Sequence, residues 1–567
     1  MKIKFPQIIL ALLLGAAWIS CARQSSPTGG PQDEEPPQLL NSNPASQSLN
    51  SKPDKIEMQF NEFIKAENPN RNIIITPRID RDKMEVLAIK NRLNIKLNQE
   101  LEDSTTYVFN FQKSIQDITE NNPAQNLKLV FSTGNEIDSL KFSGKVKYVF
   151  PPKNKEIKDV LVGLYRIEDD TMDVFTDPPY YLSQADSTGK FEITNIKAGT
   201  YLAYAWHDSN NTLKADYKSE QYGFIKDSIP INQNISDVHI NLFRGDLSEL
   251  KINRANSIGS NFDVVLSKTP AELHVEHPAI NDSLFYRIDE KNIRFYHNSL
   301  RNDSTLVHLK VRDSVGNNID TTFYAVFDSS ERKPEDLELK LKSNKGFLKT
   351  IEADIIANKP IHKIHYDSLM VRYDTASSIP LNQKHFYFPD STKRTHLKFS
   401  LRLPDSLDYT NFTLFAADSS FEDIEGSFSS KEIKNNYKRF KNEELADAVA
   451  GEIQTNELPI IVQLLDKQGE IIKESYLTEN SKFRFRNIQA GEYQIRAIID
   501  KNLNHRWDPG NLYLGKQPEP VYHFTNPETN SRNVVLRGGW TNEGIIIQPN
   551  RPSGLVNAPT EKDSIPL

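Results

Sequence analysis

Short stretches in which apolar and polar residues alternate run along most of this chain, separated by clusters of Asn, Asp, Gly, Ser and Pro. Lys55 to Phe60 reads KIEMQF, Thr106 to Phe111 TYVFNF, Lys190 to Thr194 KFEIT, Leu306 to Val311 LVHLKV, His396 to Leu401 HLKFSL and Phe483 to Ile488 FRFRNI. A period of two sends successive side chains to opposite faces of an extended strand, so each stretch is a strand with one buried face. Strands of this kind, recurring roughly every ten residues between turn-forming clusters, predict antiparallel β-sandwiches. Helical periodicity is confined to the charged stretch Lys431 to Ala450, which predicts a short linking helix. The expected fold is all-β, a row of tandem β-sandwich modules.

Internal repeats divide the row. Lys190 to Asp216 and Lys482 to Asp508 align without a gap, sharing Phe191 and Phe483, Asn195-Ile196 and Asn487-Ile488, Ala198-Gly199 and Ala490-Gly491, Tyr201 and Tyr493, and Asp208 and Asp500. Each copy predicts a hairpin turning at Ala-Gly. A fainter repeat relates Thr105 to Glu120 with Asn411 to Gly426. The modules expected are 37–135, 138–246, 247–332, 333–440 (a degenerate copy of the first) and 446–549 (the second again), with a tail at 550–567, and the modules that carry the repeated hairpin resemble the prealbumin- or carboxypeptidase-regulatory-like sandwich, an accessory module.

The N-terminus changes the picture from a fold to a compartment. Lys2 and Lys4 precede an apolar run from Ile8 to Ala17, followed by Trp18-Ile19-Ser20-Cys21. This is the layout of a secretory signal, and it is shorter than the roughly 18–20 apolar residues that span a bilayer. Cys21 is the only cysteine in the 567 residues. Its place after small Ser20 resembles the lipidation site of a bacterial lipoprotein, with Trp18 where Leu is usual. The expectation is a signal peptide at 1–20 and a lipidated, flexible tether at 21–36, ARQSSPTGGPQDEEPP after the cysteine, whose Pro, Gly, Ser and charge leave nothing to bury. With no disulfide available, each exported module must stand on its own apolar core. The 69 Lys and Arg against 76 Asp and Glu give a net charge of −7, which leaves no basic field for nucleic acid.

Among candidate sites, Asp500 to Asp508 is the sharpest. Asp500, Asn502, Asn504 and Asp508 offer oxygens at positions 1, 3, 5 and 9, and the main chain of Arg506 offers a carbonyl, in the manner of a calcium loop. His505 stands where such loops carry Gly, and Asn511 where they carry Glu. The sister loop has Asp208, Asn210, Thr212 and Asp216. Hairpin tips closed by Asx turns use the same residues with no ion, so calcium and a purely structural loop both remain open, and no other cofactor is expected. His274 and His277, and His362 and His365, are spaced so that each pair faces opposite ways on a strand, which argues against a shared metal. Trp206 and Trp507 are candidates either for capping sandwich cores or for stacking on sugar. Nucleophile elbows, zinc-binding His-Glu-x-x-His, phosphate loops and dinucleotide fingerprints do not occur, so no catalytic residue is assigned and no small-molecule substrate is inferred.

PTGGPQD after Cys21, NEFIK at Asn61 to Lys65, LEDSTTYVFNF at Leu101 to Phe111, SIQDITENNP at Ser114 to Pro123 and VFSTG at Val130 to Gly134 together resemble the outer-membrane lipoproteins of Bacteroidetes that open with an SbsA-type bacterial Ig-like domain. That resemblance implies a non-enzymatic protein held by acyl chains on Cys21 in the outer membrane, with the cell-surface side slightly favoured. It also implies partners among envelope proteins, such as a β-barrel complex of the barrel assembly machinery kind. A carbohydrate-capture lipoprotein is the alternative, and an unrecognised hydrolase stands third. Asp followed by Ser or Thr and then an aliphatic residue, Met or Thr recurs, placing Ser104, Ser139, Thr171, Ser228, Ser283, Ser314, Ser368, Thr375 and Ser406 in a pattern that looks like the O-glycosylation acceptor of exported Bacteroidetes proteins. Asp-Ser and Asp-Thr also end turns ahead of strands, and the two readings are compatible.

Overall fold

The computed structural model describes residues 33–555, apart from 153–156, 169–172, 281, 299–300 and 344–345. The signal segment, Cys21 and Thr171 lie outside the described residues. The chain is all-β, folded into many small sheets, and divides into two compact units.

The first unit comprises 1–140 with the short pieces 180–182 and 194–197. Strands Leu39–Asn43, Lys55–Phe60, Arg92–Leu97 and Met84–Ile89 form one sheet, with Ile74–Thr76, Thr106–Asn110 and Lys128–Ser132 forming a second. Alternation works as the period demands: in KIEMQF, Ile56, Met58 and Phe60 are buried, and they join Leu93, Ile95, Phe109 and Phe131 in a common core. SIQDITENNP holds its turn through Asp117, a buried carboxylate that accepts the N–H groups of Glu120, Asn121 and Asn122 at 2.6, 2.9 and 3.0 Å. Burial opposes its charge, but these bonds prevail and hold it below the usual carboxylate range.

The two segments that carry the repeat, 138–246 and 446–549, have one topology. A three-stranded sheet runs Lys190–Ile196, Leu140–Tyr148, Ile235–Leu242 in the first and Lys482–Gln489, Leu445–Ile453, Thr541–Ile547 in the second. In both, the last two strands pair in parallel. The opposing sheets also correspond: Tyr181–Gln184, Val160–Arg166, Gly199–His207, Tyr222–Phe224 against Ile471–Leu477, Ile460–Leu465, Gly491–Ile499, Val521–His523. Asn195 and Asn487 take the same left-handed backbone, at φ 59° and 56°, which Asn tolerates better than most side chains. The equivalence thus extends well past the repeat visible in sequence.

Residues 252–327 and 339–439 supply further pairs of sheets. The expected helix at Lys431 to Ala450 is absent. Ile433–Arg439 and Leu445–Ile453 are strands joined by a single 3-10 turn at Asn442–Glu444. Tyr437 is buried beneath the first and Ala446, Ala448, Val449 and Ala450 beneath the second, so sheet pairing and burial override a charged composition that suits a surface helix.

Segments far apart in the row touch directly in the second unit. Gln517 Nε2 donates to the carbonyl of Phe224 at 2.9 Å, His523 Nε2 to that of Val149 at 2.9 Å, and Asn511 Nδ2 to that of Val315 at 3.1 Å. Gly510 sits so close to Phe243 that a Cβ there would come within 2.7 Å of the ring. Segment 446–549 thus touches both 138–246 and 247–332 through side chains that donate to main-chain carbonyls there.

Candidate functional site

The hairpin that the repeat predicts ends, in each copy, on a buried aspartate. Asp208 accepts the N–H groups of Thr212 and Leu213 at 2.9 and 3.2 Å. Asp500 accepts those of Asn504 and His505 at 3.1 and 2.9 Å, and the hydroxyl of Tyr476 at 2.9 Å. The backbone turns through left-handed residues at Asn211 and Leu213 in one loop and at Leu503 and His505 in the other, all with φ between 59° and 63°. Leu rarely adopts this conformation, and the Asp carboxylate compensates by collecting the N–H groups that the turn exposes.

A second carboxylate closes each loop from the far side, and sequence spacing alone does not reveal it. Glu220, 2% exposed, accepts the N–H of Ser209 at 2.8 Å and of Asp216 at 3.0 Å. Glu519, 3% exposed, accepts from Lys501 at 2.7 Å and from Asp508 at 3.0 Å. Ser209 aligns with Lys501 and Asp216 with Asp508, so the two glutamates do one job. They escape alignment because the second loop is longer between Asp508 and Glu519 than the first between Asp216 and Glu220. A buried acid that follows the repeat in both copies is the signal that points to them. Burial pushes Glu519 up, with Asp508 and Asp500 adding to the shift against its own hydrogen bonds. Burial likewise raises Asp208, with Glu220 contributing.

The residues with calcium-loop spacing are brought together. Asn504 Nδ2 lies 2.7 Å from Asp508, and Asn502 Nδ2 also contacts that carboxylate. Both carboxamides thus point N–H at Asp508, and a cation would require both to turn over. The positive charge beside Asp508 is the Arg506 guanidinium, whose Nε is at 3.3 Å. The rest of that guanidinium reaches the carbonyl of Ala271 at 2.6 Å and Glu272 at 2.8 Å. Among the described residues, no group of three or more His, Cys, Asp or Glu is placed to hold a metal ion. As it stands, the loop is a hydrogen-bonded clasp that also fastens its module to residues 271–272.

Trp206 is fully buried, at 0% exposure, and forms core. Trp507 donates Nε1–H to the carbonyl of Glu519 at 2.9 Å and meets the Phe150 ring edge-on at 4.8 Å. Trp206 therefore presents no face to a sugar, and Trp507 is half-buried. Trp540, 60% exposed, is the open indole. His362 and His365 were expected on opposite faces, yet both line one cavity, since the strand Ile361–Ile364 ends before His365 and the chain turns there. His274 and Glu276 lie 3.4 Å apart on an exposed face, as spacing implies. Of the Asp-Ser/Thr positions, Ser104, Ser139, Ser228, Ser314, Thr375 and Ser406 are exposed, whereas Ser283 and Ser368 are half-buried.

Comparison with known proteins bears on two segments. Residues 33–133 match the model of the bacterial Ig-like domain, and residues 158–222 that of domain II of polysaccharide lyase family 4. Among curated proteins no match is found. Solved structures similar to parts of the chain include latent PorU from Porphyromonas gingivalis, at 9% identity and a TM-score of 0.22, covering 57% of this chain and 36% of that one. The TIE protein of Bacillus anthracis is matched at 10% identity and a TM-score of 0.12, covering 96% and 78%. The BSP domain of a biofilm associated protein is matched at 9% identity and a TM-score of 0.14, covering 85% and 97%. The chain spans little more than a third of PorU, and likenesses of this extent carry no functional inference. What the family models and the fold establish together is a multi-module β-sandwich protein with a bacterial Ig-like domain at residues 33–133.

Proposed function

We propose that this chain is a non-enzymatic, lipid-anchored scaffold of an outer membrane, tethered through Cys21 and serving as an accessory subunit of a β-barrel complex such as a barrel assembly machinery. The observation that carries the scaffold reading is the fastening of 446–549 to earlier modules by Arg506, Asn511, Gln517 and His523. Isolated sandwiches joined by linkers bend at their linkers, whereas modules latched by side-chain-to-backbone bonds present their surfaces in a constant relation. Fixed geometry of this kind suits docking onto a large partner. The apolar run ending at Cys21, with a tether directly after it, supports the anchor. Buried Trp206 offers no sugar platform and Trp507 is held half-buried by Glu519 and Phe150, so these two residues favour the scaffold over carbohydrate capture.

Three measurements test the proposal. Affinity purification from detergent-solubilised membranes after mild cross-linking should recover an outer-membrane β-barrel protein in near-stoichiometric amount, and recovery of the chain alone would refute the accessory role. A Cys21→Ala variant should leave the membrane fraction or persist as precursor while its modules fold. Mature variant still in the membrane, after salt washing has stripped partners, would refute the anchor. Cleavage by protease added to intact cells should follow from the cell-surface side, and full protection would place the modules in the periplasm.

A further inference from the structure

Segment 333–440 contains a cavity of about 600 Å³ that the scaffold reading does not use. This is within the size range of small-ligand sites. Its wall includes His362, His365, Tyr366, Gln383, Tyr387 and Arg394. Arg394 is the unusual member. Its Nη2 donates to the carbonyl of His362 at 3.0 Å, while its Nε is shielded from solvent and has no acceptor. The guanidinium centre lies 4.6 Å from the Phe388 ring centroid and 5.8 Å from that of Phe285. Aromatic rings thus flank the guanidinium, whose planar edge is the part that pairs with a carboxylate.

Some buried cations of the second unit are matched by acids: Lys268 by Asp313 at 2.6 Å, Lys359 by Glu425 at 3.1 Å, and Arg294 by Asp263 at 2.7 Å. Among the described residues Arg394 has no such match, a trait it shares with Arg439, and Arg394 lines the cavity. Acids of the same segment are engaged elsewhere, Glu422 with His365 at 3.5 Å and Lys363 at 3.8 Å, and Asp390 with Lys393 at 2.9 Å. Burial lowers the Arg394 pKa, an effect that neighbouring Tyr366 partly offsets, so the cation is held at a cost that an anion would relieve. His362 adds a second unsatisfied donor or acceptor, since its Nδ1 is buried and without a hydrogen bond. Around this polar edge stand Tyr366, half-buried, and Tyr387, 55% exposed. Aromatic side chains of this kind offer apolar faces with polar tips.

We propose that this cavity binds a carboxylate-bearing saccharide, with a uronic-acid carboxylate on the edge of Arg394 and the sugar ring against Tyr366 and Tyr387. A cationic edge set among aromatic faces, with Gln383 and His365 in reach of hydroxyls, is the chemistry that recognises an acidic sugar. The scaffold reading does not depend on this site, nor the site on it.

Calorimetric titration of the full soluble chain, lacking residues 1–21, with a tri-uronide should show saturable binding. A neutral trisaccharide of the same linkage should bind at least about tenfold more weakly. Arg394→Gln should weaken uronide binding by about tenfold or more, and Arg394→Lys by less, because Lys keeps the charge without the planar edge. Tyr387→Ala, at an exposed position, should weaken it with an unchanged melting temperature, which keeps the test valid should Arg394→Gln impair folding. Equal affinity for acidic and neutral sugars, no binding at millimolar uronide, or tighter binding of a peptide through its terminal carboxylate would each overturn the proposal.

Discussion

His523 donates from Nε2 to the main-chain carbonyl of Val149, 374 positions earlier, at 2.9 Å. Burial pushes its pKa from 6.5 to about 4, with the Val149 bond working the other way. A histidine kept neutral in the folded state contributes stability that is complete above 6.5 and lost as the pH falls through about 4. The parent should therefore lose about 1–2 kcal/mol more than His523→Gln between those limits, a figure reduced for the partial exposure of the ring. Glu519 and Asp208 act in the opposite sense. Their raised folded pKa values make the ionised forms costly above those values, and the cost fades on acidification. Subtracting the denaturation curves of the His523→Gln variant from those of the parent isolates the histidine, and a pH-independent difference would count against this account.

Glu220 and Glu519 each satisfy two or more main-chain N–H groups beneath the surface. Removing either carboxylate strands those donors, so Glu519→Ala and Glu220→Ala should each cost about 2–4 kcal/mol. Because the loops are equivalent, the two losses should be of similar size. Urea denaturation would show it.

Lys359, 1% exposed, bonds Glu425 at 3.1 Å and contacts buried Asp423, while the other Glu425 oxygen accepts Asn261 Nδ2 at 2.9 Å. Lys359→Met leaves two buried acids without their cation and should destabilise by about 3–5 kcal/mol. A double variant that also carries Asp423→Asn should recover part of that loss, and failure to recover any would mean that packing rather than charge is at stake.

Calcium is testable at the loop of Asp500, Asn502, Asn504, Arg506 and Asp508. If the clasp is complete without an ion, millimolar calcium leaves the melting temperature of the full chain unchanged. A stabilisation of about 1 kcal/mol or more that Asp508→Asn abolishes would instead show the carboxamides turning to bind the ion.

Glycosylation is expected first at the exposed positions Ser104, Ser139, Ser228, Ser314, Thr375 and Ser406, and less at half-buried Ser283 and Ser368. Intact mass of the natively exported protein should exceed polypeptide plus lipid, and peptide mapping should find the added mass at exposed sites.

The alternation in KIEMQF, the Asn-Ile and Ala-Gly pairs of the hairpins, and the paired aspartates Asp208 and Asp500 were all legible along the chain. Each is a local property, in which side-chain direction follows a period of two and a turn follows the conformations its residues tolerate. The helix expected at Lys431 to Ala450 failed for the converse reason: composition there reports a polar surface, and only the neighbouring strands show that Tyr437 and Val449 have a core to enter. Tertiary structure alone decided that Glu220 and Glu519 play one part, since loop length hides their correspondence, and that Arg506 neutralises Asp508 while reaching Glu272. It alone placed Trp206 in a core, brought His362 and His365 to one cavity and left Arg394 without an acid. Contacts between residues hundreds of positions apart depend on how completed sheets meet, and no periodicity along the chain records where a carbonyl is left unpaired on a distant module.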